Sequence, residues 1–112
     1  MRLDLTVVPI TFSELDWWLE RTRIGLDRHY ELFDAIKELP SQKLSSNTTV
    51  SWYDDDGILQ KFDDCYGKSL RFVLAEQFSM TNASLWNTKW NLGILKFLRT
   101  IETDTPVVLY WH

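Results

Sequence analysis

Val50-Ser51-Trp52-Tyr53-Asp54-Asp55-Asp56-Gly57-Ile58-Leu59-Gln60-Lys61-Phe62 is the stretch whose reading decides the fold. Asp56-Gly57 between two apolar-rich runs is a strong hairpin signal, because Asp and Gly accept the backbone angles of a tight connection. A four-residue loop, Asp54 to Gly57, pairs Tyr53 with Ile58 and Trp52 with Leu59. It sets Val50, Trp52 and Leu59 on one face and Tyr53, Ile58 and Phe62 on the other.

Upstream of the hairpin, residues 2–10 read as a strand, with Leu3, Leu5 and Val7 alternating with Asp4 and Thr6. Pro9 marks the limit of pairing or an edge. Thr11 and Glu14 then have the form of a capping box, with Ile10 and Leu15 as its hydrophobic staple. Leu15, Trp18, Leu19, Leu26, Tyr30, Phe33, Ile36 and Leu39 recur at helical spacing, and Pro40 supplies a stop. This predicts one helix about 40 Å long, or two nearly coaxial pieces divided at Gly25. The polar run 41–49 reads as a loop.

Downstream, 68–78 suits either a strand or a helix, and its β-branched and aromatic content favours a third meander strand. Asn82 is a fitting cap for a helix over 83–102, with Trp86, Trp90, Ile94, Phe97, Leu98 and Ile101 as its apolar stripe. The final "VVLYWH" is too apolar for a sheet edge and fits best beside the first strand. The whole reads as a single α+β domain over 1–112: a two-layer sandwich in which a small mixed sheet carries two main helices on one face.

A chain of 112 residues buries roughly 65% of its unfolded surface, enough for a core without metal or disulfide staples. Its 12 basic and 16 acidic residues leave it at −4, against nucleic-acid binding and compatible with a protein partner that has a basic surface. Cys65 is the single cysteine, so an internal disulfide is impossible, as suits a reducing cytoplasm. The amino terminus is too short and interrupted for a signal peptide or membrane span. The N-x-S/T triplets at Asn47 and Asn82 read as chance.

Five aspartates between 54 and 64 invite a metal reading. In a calcium-binding loop aligned on Gly57, however, Trp52 falls where the first ligand is required. Neighbouring aspartates on a hairpin tip diverge, and no histidine is near in sequence. No metal or other cofactor is therefore expected. Cys65 as a nucleophile needs a base, while Asp63 and Asp64 disfavour its thiolate. His29 reads as a half-buried polar contact and His112 as a frayed terminus. Glu20–Arg23 and Arg23–Asp27 have the spacing of surface ion pairs on a helix. Trp18, Trp86 and Trp90 read as core, and Trp17, Trp52 and Trp111 as nearer the surface.

The leading expectation is a small non-catalytic module, inhibitor- or immunity-like, binding through Trp52, Asp54, Asp55, Asp56, Asp63 and Asp64. The alternatives are an enzyme pairing one of these aspartates with His29 or His112, and a homo-oligomeric structural subunit joined by exposed aromatics.

Overall fold

The structure is a computed structural model; it describes residues 3–9, 23–44, 50–54 and 57–112, with 50–54 and 57–61 described by their backbone. Strands β1 (Leu5–Pro9), β2 (Ile24–Gly25), β3 (Gln42–Lys43), β6 (Arg71–Leu74) and β7 (Pro106–Trp111) form a five-stranded sheet in the order β2-β1-β7-β6-β3. β4 (Val50–Asp54) and β5 (Gly57–Lys61) form a separate two-stranded sheet. Helices α1 (Tyr30–Lys37) and α2 (Lys89–Thr100) complete the α+β sandwich. All of these pairings are antiparallel, so the sheet is not mixed.

The terminal strand occupies the centre. β7 pairs with β1 from Leu5↔Trp111 to Pro9↔Val107, and with β6 on its other side. Its residues Pro106 to Leu109 are buried, as a strand covered on both faces requires. Val7 opposite Leu109, and Val107 opposite Val73, lie in one core with Leu32, Phe33 and Ile36 of α1 and Ile94, Leu95 and Leu98 of α2. Both helices therefore cover the same face. Val8, Val108 and Leu70 form a smaller buried cluster on the other face.

The long first helix is corrected by the structure. Residues 11–22, including the capping box, Trp17 and Trp18, lie outside the described residues. Ile24 and Gly25 are a strand paired with Val7 and Thr6, and the Leu26 amide donates to the Leu5 carbonyl at 3.0 Å. The helix begins only at Tyr30. His29 is its N-cap, with Nδ1 accepting from the Leu32 amide at 3.0 Å. Long-range partners hold the backbone of 24–27, and a helical period in the side chains does not outweigh them.

The second helix is also shorter than its sequence period suggests. Asn82 does act as a cap, but of a single 3-10 turn at Ala83–Leu85; Thr88 caps α2 by accepting from the Asn91 amide. α2 turns Asn91, Ile94, Leu95 and Leu98 into the core, which leaves Trp90 outside, 57% exposed. Trp86 is buried as expected, its indole N–H donating to Thr81 Oγ1 at 2.8 Å.

The ambiguous segment 68–78 divides between both readings. It is strand β6 to Leu74 and a 3-10 helix from Ala75 to Met80. Gln77 fixes the junction, accepting from the Leu74 amide through Oε1 and donating to the Pro40 carbonyl through Nε2. The loop reading of 41–49 gives way at Gln42 and Lys43, which pair with Phe72 and Arg71 as β3; 45–49 lie outside the described residues.

Candidate functional site

The hairpin has the register expected from its sequence: Trp52 pairs with Leu59 and Tyr53 with Ile58. The ladder runs one pair further, to Asp54↔Gly57, which leaves Asp55 and Asp56 as a two-residue connection between the strands. Those two aspartates lie outside the described residues, and Trp52 and Asp54 are placed by backbone alone.

After β5 the chain turns back at once into β6. Asp63 bridges to Ser69, and the Leu70 amide donates to the Phe62 carbonyl at 3.1 Å. Asp64 builds the turn between them. Its Oδ1 accepts from the Tyr66 amide at 2.8 Å and the Lys68 amide at 3.0 Å, as Asp does when it mimics a turn of backbone. Gly67 completes it at φ +78°, a left-handed angle that favours glycine. Asp64 is thus committed to structure, whereas Asp63 is exposed.

Cys65 sits on this turn, exposed and reduced. Its amide donates to the Trp111 carbonyl at 3.0 Å, tying the turn to the end of β7. The Tyr110 phenol lies close by. Burial raises its pKa above the usual phenol value, and the Cys65 thiol and the Asp64 carboxylate add to the shift.

Neither histidine hydrogen-bonds a carboxylate among the described residues. His29 caps α1 through Nδ1 and meets Asn87 Nδ2 through Nε2 at 3.3 Å. His112 is not frayed. Its backbone exchanges two hydrogen bonds with Asp4, Nε2 lies 2.9 Å from Thr6 Oγ1, and the ring stacks on Tyr110 at 5.6 Å between centroids. Arg23 lies just before β2, not on a helix; the ion pair the sequence did not suggest is Arg28–Asp4, at 2.8 Å. Among the described residues no three His, Cys, Asp or Glu side chains are placed to hold a metal ion.

A cleft of about 440 Å³ opens between the C-terminal end of α1, the start of β6, the end of β7 and the Asp64–Ser69 turn. Ile36 and Leu109 give it an apolar floor, and Tyr66 and Trp111 give it aromatic walls. Among the described residues Lys37, Lys68 and Arg71 bring three cations to it, with Asp64 as the single carboxylate. The Lys37 ammonium lies over the Trp111 ring, 5.0 Å from its centroid, and Phe33 meets the same ring edge-on at 5.7 Å. Arg71 is braced on Ser41, donating from Nε to Oγ at 2.6 Å and from one terminal nitrogen to the carbonyl at 2.8 Å. None of these cations was a candidate in the sequence. They come from two separate segments, α1 and the run 68–71, and share no motif.

The chain matches no protein-family model, no curated protein and no solved structure. No helix among the described residues is long and apolar enough to cross a membrane.

Proposed function

We propose that this protein is a non-catalytic binding module whose acidic hairpin region contacts a protein with a basic surface. The observation that carries the reading is where the charge resides. Between 54 and 64 stand Asp54, Asp55, Asp56, Asp63 and Asp64 against Lys61, a local charge of −4, and the whole chain is also −4. The rest of the molecule is balanced. The excess falls on a hairpin that forms its own sheet and on the turn that follows it.

Charge concentrated in this way speeds encounter with an oppositely charged surface and disfavours acidic competitors. Trp52, on the same hairpin, supplies the aromatic area that such contacts use as an anchor. Asp64 takes part through its field, since its oxygen already serves the turn.

The test is capture from a source-cell lysate at low and high salt, with the wild type beside a variant carrying Asn at positions 54, 55 and 56. A partner that is lost both with salt and with the variant supports the reading. A partner retained by the variant at low salt, or none captured by either protein, overturns it.

A further inference from the structure

We propose that the cleft between α1, β6, β7 and the Asp64–Ser69 turn is a binding site for a small organic anion, a phosphate or carboxylate group carried on a flat ring. The argument starts from charge. In a chain with more acids than bases, Lys37, Lys68 and Arg71 converge on one cavity. Among the described residues none of the three has a carboxylate within ion-pairing distance. Among the described residues the cleft's one acid is Asp64, whose Oδ1 accepts from two backbone amides. Among the described residues the cavity therefore holds three cations against one carboxylate, an excess of positive charge that Asp64 reduces without cancelling.

Its shape and lining add the second element. About 440 Å³ lies within the range of small-molecule sites, which combine apolar and aromatic walls with a few convergent polar groups. Leu109 and Trp111 alternate with the outward residues of β7 and so present their side chains on the cleft's side of the sheet. The Arg71 guanidinium is held by Ser41 through two of its nitrogens, which fixes its plane before any ligand arrives. A preorganised, planar donor suits a carboxylate or phosphate oxygen pair. Lys68 and Lys37 add ammonium groups to the lining, that of Lys37 over the Trp111 ring. A bare inorganic anion would leave the aromatic walls uncovered, and a neutral ring would leave the cations unpaired. The lining suits a molecule with both parts.

The experiment uses the whole chain labelled with ¹⁵N, titrated separately with phenyl phosphate, phenylacetate, inorganic phosphate and phenol. The readout is the shift of the Trp111 indole N–H and of the amides of Tyr66, Lys68 and Arg71. Phenyl phosphate or phenylacetate is expected to saturate these signals, with inorganic phosphate and phenol each weaker by about tenfold or more. The better of the two anions names the head group. The double variant Lys37→Gln, Lys68→Gln alters exposed residues and leaves the Arg71–Ser41 brace intact. It is expected to weaken binding by about tenfold. The proposal is overturned if none of the probes shifts these signals, if phenol binds as well as the ring-bearing anions, or if the double variant binds them unchanged. The two sites share only Asp64, which neither set of variants alters, so each proposal stands or falls without the other.

Discussion

Replacing Asn91 tests how the structure holds the segment that sequence periodicity misassigned. Asn91 is fully buried in the first turn of α2, and its amide group spans both backbone atoms of Asp27. Oδ1 accepts from the Asp27 amide at 2.7 Å, and Nδ2 donates to the Asp27 carbonyl at 3.0 Å. Asn91→Leu keeps the branched shape and removes both bonds. Each backbone group left unpaired costs about 1–3 kcal/mol. The Asp27 groups are only part-buried, so water can reach them and the lower figure applies to each. The added apolar burial of leucine offsets a little of this, and the net loss is about 2 kcal/mol. A domain of this size is stable by about 5–15 kcal/mol, so the change is plain in a urea transition.

Asn91→Asp separates hydrogen bonding from packing. It keeps the acceptor for the Asp27 amide, loses the donor, and buries a carboxylate against a carbonyl. At neutral pH it is expected to cost more than Asn91→Leu, about 3 kcal/mol or above. Burial raises the folded pKa of that carboxyl above its unfolded value. The unfolded chain then ionises first, and stability is lost as pH rises through the unfolded value near 4. The penalty of Asn91→Asp should therefore shrink on acidification, while that of Asn91→Leu should not. Urea melts at neutral and mildly acid pH, with amide exchange at Asp27, decide the matter. An Asn91→Leu midpoint within about 0.5 kcal/mol of wild type, with Asp27 exchange unchanged, would refute the reasoning. So would an Asn91→Asp penalty independent of pH.

Three further outcomes follow from the same geometry. Thr81 Oγ1 accepts from the Trp86 indole and donates to the Phe78 carbonyl at 2.6 Å. Thr81→Val should thus cost about 2 kcal/mol in thermal or urea unfolding, with Thr81→Ser recovering most of it. Gly67 has φ +78° and open space where a Cβ would stand. Gly67→Ala should cost about 1 kcal/mol of backbone strain alone, and Gly67→Asn less, by the same melts. Burial first, then Cys65 and Asp64, raise the Tyr110 pKa. The unfolded phenol then ionises before the folded one, and stability should fall as pH rises above about 10. Tyr110→Phe should flatten that fall in urea melts across the alkaline range.

The two helices and the turn show why part of the molecule was legible and part was not. A helical period of apolar residues ran through Leu26 and Tyr30, and nothing local in the sequence distinguishes residue 26 from residue 30. What distinguishes them is the backbone: Leu26 donates to β1, Asp27 is held by Asn91, and the Trp90 indole donates to the Gly25 carbonyl at 2.7 Å. These are contacts across 20 to 65 residues of chain, and no window of sequence contains them. By bulk and apolarity alone Trp90 belongs in the core. Two hydrogen bonds to the Asp27 backbone hold a polar Asn91 in the inner position instead.

The sequence alone determined features whose causes are local. The hairpin register follows from two apolar-rich runs set on either side of the aspartates. The central place of "VVLYWH" follows from a strand with no polar face to give to water, and the acidic stretch 54–64 is visible as written. Tertiary structure decided whatever depends on one distant backbone meeting another. It chose where α1 begins, which face of α2 turns inward, and that Asp64 closes a turn instead of facing solvent with both oxygens. It also gathered Lys37, Lys68 and Arg71 around Trp111. A hydrogen bond or a cleft is a relation between segments, and its free energy exists only once the chain has closed the loops that join them.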